Sequence, residues 1–491
     1  MKTKFLKPLQ VISFLLVLIT FSCNESNPNQ ENFSDLSKVN SITFPKLKIK
    51  AINEMIAEYR KNQFSILNSD PNISNESSWI NLKKLESFIS YVKAIAKDNN
   101  LNDKKYHIIT YGCQMNKNDS ERMCGMLENI GYSETEVWQD ANLVILNTCS
   151  IRDRAERRVV GKFQVLHHHR QKHNKDMQLA ITGCMPQHMK DFVQEKIPYI
   201  DYVVGVNNME ILPSLIGENK SISDQVKLMR PNRRQEKDVI SFEKNLVSQK
   251  RQEGDKAWVS IMFGCDKFCT YCIVPFTRGR EMSRKKEDIF SEIEALEGKG
   301  YEQIVLLGQN VNSYGLTSYE DYDFADLMEE VVIKFPWIKK LDFITSHPKD
   351  VNEKLIDVIA KYPTISREIH FPSQHGDNKM LEAMNRGYTI EEYNRKVALI
   401  REKVEGAMIG TDLIVGFPGE TEEQFQALLN HCKEIKYDYA NTAAYSVRPG
   451  TKAERMPGHL EEQVKKERLQ MLNRTLEEIY RSEGIMRPKL G

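Results

Sequence analysis

The chain has almost no surplus of charge of either sign: 69 Lys and Arg stand against 68 Asp and Glu, a formal net charge of +1 over 491 residues. That excludes a protein whose whole body is basic, so any nucleic-acid binding has to come from a local surface. Also missing is the even, compact cysteine framework that staples a small secreted fold. Nine cysteines are present, and six of them fall in two spaced triplets, the usage of a cofactor protein in a reducing compartment. Long apolar runs are absent too. The stretch at residues 11–19 is too short to make a membrane span. What remains is a chain too long for one ordinary core, for which two or three domains are expected.

The stretch with most chemistry is Gly264-Cys265-Asp266-Lys267-Phe268-Cys269-Thr270-Tyr271-Cys272, which follows the strand-like run 257–263. Cysteines at i, i+4 and i+7 on a tight loop bring three thiolates round one small object. Three thiolate ligands suit an iron–sulfur cubane with one iron left open, whereas a structural zinc site closes with four ligands. No fourth Cys or His lies close in sequence, which leaves zinc or three buried thiols as the weaker readings.

From Lys105 the pattern alternates strand and helix, implying a parallel sheet. Strands are expected at 106–111, 143–146 and 178–182, each ending in a turn that carries one cysteine: Cys113, Cys149 and Cys184. Ligands bind at the carboxyl ends of such strands, so three successive turns can converge on one site. Cys124 and Cys432 lack this setting and read as small buried helix residues. His167, His168, His169 and His173 read as a solvated surface turn at the end of a charged helix. Residues 218–256 read as a linker between domains.

The second domain begins at Ala257. Strands are expected there, at 303–307, 340–344, 368–371, 408–415 and 439–446, with helices between them at 285–299, 324–335, 351–361, 378–385, 390–404 and 422–435. Six strands with interleaved helices make an incomplete (β/α)6 barrel whose site lies at the carboxyl strand ends. Thr421 and Gln424 form a capping box behind Gly416-Phe417-Pro418-Gly419-Glu420. A charged amphipathic helix at 461–482 closes the segment 451–491.

Gly112-Cys113-Gln114-Met115-Asn116, the turns at Cys149 and Cys184, and the Cys265 loop with Thr277-Arg278-Gly279-Arg280-Glu281 together resemble the radical S-adenosylmethionine methylthiotransferases, over about residues 105–485. The Gln-Met-Asn and Thr-Arg-Gly runs resemble the tRNA-modifying branch rather than the one that modifies a ribosomal-protein aspartate. The resemblance implies an α/β architecture: a Rossmann-like methylthiotransferase domain at 105–217 and a partial radical-SAM barrel at 257–450. It implies two 4Fe–4S clusters, an auxiliary one on Cys113, Cys149 and Cys184 and a radical-generating one on Cys265, Cys269 and Cys272. It further implies S-adenosylmethionine as cofactor, with Asn310 and Asp412 as contacts. The implied reaction adds a methylthio group to C2 of N6-isopentenyladenosine beside the anticodon. The implied partners are the tRNA anticodon loop, an electron donor such as flavodoxin or ferredoxin, and a sulfur donor; the enzyme core is expected to be a monomer without membrane attachment.

Three features depart from the family. Residues 1–23, with lysines before the apolar run and Ser22-Cys23 after it, read as a lipoprotein-type export signal, and residues 24–104 as a polar helical segment with helices near 46–59 and 79–97. Export conflicts with the cytoplasmic location that tRNA chemistry requires, so a fusion or mis-joined segment is expected. The family's terminal RNA-binding barrel, called TRAM, is expected to be missing. Phe371-Pro372-Ser373-Gln374-His375-Gly376 replaces the family's more usual Pro-Val-Gln-Ser-Gly. The rival readings are a methylthiotransferase for another tRNA base or a ribosomal-protein side chain, and a lipid-anchored, non-catalytic metal-binding protein.

Overall fold

The computed structural model describes residues 104–149, 153–216, 221–229, 250, 251 and 254–485. The export-like segment with Cys23, the helices expected near 46–59 and 79–97, and most of the expected linker lie outside the described residues.

The first sheet is α/β and wholly parallel. Its strands are β1 (Lys105–Tyr111), β2 (Ser133–Glu134), β3 (Leu143–Thr148), β4 (Gln178–Gly183) and β5 (Tyr202–Gly205), in the order β2-β1-β3-β4-β5. The apolar run of β3 places it centrally, and every one of its residues is buried, as covering on both faces demands. Alternate side chains serve opposite layers. Leu143 and Ile145 pack with Met123, Cys124 and Leu127 of α1 (Gln114–Asn129), while Val144 and Leu146 pack with Val159, Phe163 and Leu166 of α2 (Asp153–Lys172). Two of these strands, β2 and β5, were not expected, being too short to show a period.

Two turns expected after strands are the first turns of helices. Cys113 is the N-cap of α1, and Cys184 is the first residue of α3 (Cys184–His188). The expected linker also holds structure. Its residues Ile222–Leu228 form α4, whose buried Gln225 takes Val203 N at 2.9 Å and gives to Asp201 O at 3.0 Å. Those bonds tie α4 to β5, so the first layer runs past residue 217.

In the second region β6 (Lys256–Ser260) is followed by β7 (Met262–Phe263), which pairs antiparallel with β8 (Met282–Ser283). This pairing closes the neck of the cysteine loop. Strands β6, β9 (Gln303–Leu307) and β10 (Lys340–Ile344) form one parallel block, and β11 (Glu368–His370), β12 (Met408–Val415) and β13 (Tyr439–Ala444) another. A bridge between Leu341 and Ile365 joins the blocks, giving the expected open run of six parallel strands.

Helices α5 (Lys286–Glu294), α6 (Phe324–Lys334), α7 (Glu353–Lys361), α8 (Ile390–Lys403) and α9 (Glu422–Ile435) cover its outside. The starts of the last four are set by side-chain caps: Asp323, Asn352, Thr389 and Thr421 each accept backbone N–H groups of the first turn. The last helix, α10 (Glu462–Ser482), is part of this wall rather than a segment of its own, for Leu472, Leu476 and Ile479 enter the barrel core. Among the described residues no helix is long and apolar enough to cross a membrane.

Candidate functional site

In the barrel, three cysteines lie on the loop between β7 and β8. Gly264 at its start has φ +64°, and a Cβ there would sit 2.1 Å from Arg280 O, so only glycine lets the two ends of the loop close. Cys265 N then bonds Gly279 O at 3.3 Å. Asn385, itself at φ +57°, holds the carbonyls of Lys267 and Phe268 at 3.1 and 3.0 Å, and Thr270 is pinned to Ala383 and Met384. Arg386 is the buried hub. Its Nη1 reaches Cys269 Sγ at 3.2 Å and Tyr271 OH at 3.4 Å, its Nη2 donates to Pro372 O at 2.9 Å, and its Nε donates to Tyr388 OH at 3.0 Å. Burial pushes the Cys265 and Cys272 thiols up to about 12, with neighbouring thiols adding to it. A bare thiol there keeps its proton at neutral pH until a metal displaces it.

The other three cysteines are assembled by register. Tyr111, Thr148 and Gly183 pair as neighbours across β1, β3 and β4, so the residues that follow leave the sheet at one level. Gly183 has φ +100°, and a Cβ on it would come 2.2 Å from Thr148 O. A Cβ on Gly112 would lie 3.0 Å from Cys149 Cβ, which shows how closely the first two strand ends approach. Beneath them Asn116 and Asn147 form a buried lock. Asn116 Nδ2 gives to Asn147 Oδ1 at 3.0 Å, and Asn147 Nδ2 gives to Asn116 O at 2.7 Å and Ser120 Oγ at 2.9 Å. Asn116 Oδ1 lies 3.3 Å from Cys113 N and 3.4 Å from its Sγ.

The two regions meet around these cysteines. Met115, Val305 and Leu307 form a buried apolar cluster against which Cys113, Trp258, Phe263 and Ile344 pack. Phe263 immediately precedes Gly264 and Cys265, so the wall runs from Cys113 to the start of the barrel's cysteine loop. Asn118 bonds Trp258 O at 3.1 Å and Ser260 Oγ at 3.0 Å, and Asn207 bonds Thr277 O at 3.0 Å. Arg278, on the barrel's cysteine loop, reaches across to Asp119 of α1 at 2.8 Å, with both side chains buried. The same guanidinium is close enough to Cys184 and Cys113 for their charges to act on one another. Burial disfavours its charge, but Cys184, Asp119 and Cys113 outweigh burial and hold its pKa above the usual value.

At the strand ends Asn310 Nδ2 is held by Ser313 Oγ at 3.0 Å and Asp350 Oδ2 at 2.5 Å, and Asp350 pairs Lys267 of the cysteine loop at 2.6 Å. The geometry thus ties Asn310 to the loop and leaves its Oδ1 without a hydrogen bond. Asn312 is buried with both amide atoms bare, and Glu281 keeps one bare oxygen. His347 Nδ1 accepts from Lys349 N at 3.3 Å, and burial lowers its pKa to about 2, so its bare Nε2 carries the proton of a neutral ring. Buried polar atoms are normally satisfied, and a set of bare ones at one rim is what a polar ligand completes.

Asp412, by contrast, is already occupied, by His370 Nε2 at 3.1 Å and Asn441 Nδ2 at 3.0 Å. In the loop that departs from the family pattern, His375 is buried and pairs Glu420 at 3.0 Å, and Arg468 of α10 backs the same carboxylate at 2.5 Å. The histidine run is a surface feature. His167 stacks on Tyr199 and His169 meets Trp138 edge-on, while His168 and His173 are exposed. Cys124 and Cys432 are buried helix residues, as expected.

None of the eight cysteines among the described residues is joined in a disulfide, and each triplet has a buried arginine near it, on Cys269 Sγ in the barrel and in the field of Cys184 in the sheet. Among the described residues no three His, Cys, Asp or Glu side chains close on a single metal ion. The fit to a larger thiolate-held cluster rests on the donor set: three cysteines per site, buried or half-buried and outside any disulfide. Sequence reasoning missed Arg386, Asp119 and the role of Arg278. Only Arg278 carried a signal, as part of the quoted Thr-Arg-Gly-Arg-Glu run.

The family model described as "Uncharacterized protein family UPF0004" matches residues 105–205, and that of the radical SAM superfamily matches 259–432. Among curated proteins the chain is 42% identical over 396 residues to a tRNA-2-methylthio-N(6)-dimethylallyladenosine synthase of Thermoanaerobacter pseudethanolicus, covering 80% of this chain and 81% of that protein. It is 44% identical over 378 residues to the protein of the same name from Protochlamydia amoebophila, covering 77% and 82%. Among solved structures it is similar to the radical S-adenosylmethionine methyltransferase TsrM of Kitasatospora setae, determined with cobalamin and a 4Fe–4S cluster. The TM-score is 0.52 at 16% identity, covering 72% of this chain and 77% of that one, a likeness of fold.

Proposed function

The chain belongs to the tRNA-2-methylthio-N(6)-dimethylallyladenosine synthase family of radical S-adenosylmethionine enzymes, and from that premise we propose how its own residues divide the work. It is a transferase that adds a methylthio group to C2 of N6-isopentenyladenosine next to the anticodon of tRNA. Its cofactors are S-adenosylmethionine and 4Fe–4S clusters.

Cys265, Cys269 and Cys272 hold the cluster that works with S-adenosylmethionine, and Cys113, Cys149 and Cys184 hold the auxiliary one. Bound there, the cofactors supply one-electron chemistry and the sulfur to be transferred. The protein's part is placement. Arg386, Asn385 and Thr270 fix the loop's shape, and the Asn116–Asn147 lock fixes the level of the strand ends. Asn310, through its bare Oδ1, and Asp412 are assigned to polar groups of S-adenosylmethionine, with His347 Nε2–H and Asn312 as further donors at the same rim. The apolar wall of Met115, Val305, Leu307, Phe263 and Ile344 keeps water from a reactive centre between the triplets. A loop base can be splayed out and read by its edges, so an unpaired adenosine suits this mouth.

The observation that supports this division most is that Cys113 and Phe263, neighbours of different triplets, pack on the same apolar cluster. The finer partners are proposals of the same kind: a flavodoxin or ferredoxin as reductant, a separate sulfur donor, a monomeric state and a cytoplasmic place of work. Anaerobic purification tests the core of it. Iron and sulfide are expected near about eight each per chain, by the composition of two cubanes, and near about four when either triplet is changed to alanine. A full chain that holds only one cluster's worth of iron would overturn the assignment.

A further inference from the structure

The two triplets are each served by one buried arginine, but in different electrical settings. Arg386 meets Cys269 with a carbonyl and two phenol oxygens as its other partners. Arg278 is paired at 2.8 Å with the Asp119 carboxylate, the two side chains being 5% and 2% exposed, and the charges of both act on the buried Cys184 thiol. Asp119 lies on the same helix that Cys113 caps, and Arg278 lies on the same loop that carries Cys265, Cys269 and Cys272. A charge pair this deep is costly to desolvate, and apolar residues of similar size would hold two domains together as well or better. Its retention next to a cysteine sulfur calls for a reason other than adhesion.

We propose that Arg278 and Asp119 act as a charge-balanced pair that sets the reduction potential of the cluster held by Cys113, Cys149 and Cys184. Arg278 is a positioning residue that acts through Cys184. Hydrogen bonds to ligand sulfurs and nearby net charge are what tune such potentials. The guanidinium charge favours the more negative, reduced cluster, while the carboxylate cancels most of that charge at long range. The auxiliary site therefore feels a compensated charge, whereas the Arg386 site has an uncompensated one and a hydrogen bond to Cys269 as well. Because Arg278 is delivered by the barrel's loop, the auxiliary cluster is tuned only when the two regions are docked. This inference rests on the assignment of a cluster to that triplet.

The test uses the full chain with Cys265, Cys269 and Cys272 all changed to alanine, so that one cluster remains, and measures its midpoint potential by dithionite titration with electron paramagnetic resonance. Arg278→Gln is expected to lower the potential by about 59 mV, a tenfold change for one electron. Arg278→Lys is expected to recover much of that. Asp119→Asn, which leaves the guanidinium uncompensated, is expected to move the potential upward. Opposite shifts are the signature, since mere loosening of the site would move both variants the same way. If Arg278→Gln fails to retain iron, the upward shift of Asp119→Asn still decides the matter. Unchanged potentials in iron-replete variants, or shifts of one sign, overturn the proposal. Absence of iron from the background protein overturns the cluster assignment beneath it, and the proposal with it.

Discussion

The barrel triplet and the sheet triplet present the same three thiols by opposite means. Cys265, Cys269 and Cys272 fall within eight consecutive positions, and one loop clamped at its neck by β7 and β8 sets their geometry. Cys113, Cys149 and Cys184 come from three strands, and their geometry is the register of a sheet. A site of the first kind survives as long as its loop is held. One of the second kind is lost whenever any strand end shifts, because no covalent path shorter than a strand–helix unit joins its members. The lesson is that the sheet triplet should be the more fragile of the two, and the perturbations that follow test that ordering.

The largest effects come from the cysteines themselves. Cys269→Ala should bring formation of 5′-deoxyadenosine to background, since two thiolates cannot hold a site-differentiated cubane. Cys149→Ala should retain that activity while the methylthiolated product disappears. The check is parallel quantitation of 5′-deoxyadenosine and modified nucleoside in anaerobically reconstituted protein. Equal loss of both products in a folded Cys149 variant would erase the distinction between the sites.

The same contrast decided what could be read from the chain. The barrel triplet was legible because its spacing is local, and the sheet cysteines because each follows an apolar run of strand length. The six barrel strands were legible for the same reason. The short β5 was not, for Tyr202-Val203-Val204-Gly205 offers only four residues of pattern, and α4 was hidden in a polar stretch whose buried Gln225 gives no hydrophobic signal. The arginines were invisible for a different reason. Arg278 finds Asp119 across 159 positions and Arg386 finds Cys269 across 117, and periodicity carries no information about such pairs. The bare atoms of Asn310, Asn312 and His347 became apparent only once burial and partners were known.

Next in size are substitutions at the sheet ends. Gly183→Ala puts a Cβ 2.2 Å from Thr148 O at a φ of +100°, so β4 has to move relative to β3. A cost of about 2–4 kcal/mol and loss of about half the iron are expected, with 5′-deoxyadenosine formation preserved. Iron content unchanged from the parent would show that the sheet triplet tolerates a shift of register. Asn147→Ala is milder. It removes the Asn147 donor from Asn116 O and from Ser120 Oγ, which keeps Thr110 Oγ1 at 2.8 Å, and leaves Asn116 Nδ2 with only Thr148 O, at 3.3 Å. A loss of about 1–3 kcal/mol in urea unfolding is expected, with iron lost from the sheet triplet before the barrel triplet.

The smallest effect belongs to Asp412, and it separates the two residues assigned to S-adenosylmethionine. Burial raises the pKa of the Asp412 carboxyl, but the hydrogen bonds from His370 and Asn441 and the charge of Arg386 outweigh burial and hold it below the ordinary carboxylate value. A depressed carboxylate stabilises the fold fully above its unfolded pKa of about 3.9, and that contribution is lost as pH falls through the folded value. The side chain is 38% exposed, so solvent screening keeps the contribution within about 1 kcal/mol. Asp412→Asn should therefore lower stability slightly at pH 7 and progressively less as pH falls through the folded value, flattening the acid limb of the stability curve. Its partners already occupy both oxygens, whereas Asn310 keeps a bare one beside the cysteine loop. Asn310→Ala should accordingly raise the KM for S-adenosylmethionine about tenfold or more, about the worth of one buried hydrogen bond, and Asp412→Asn only a few-fold. Equal increases in the two variants would show that Asp412 turns from its neighbours to the ligand, and that its present partners hold it only in the ligand's absence.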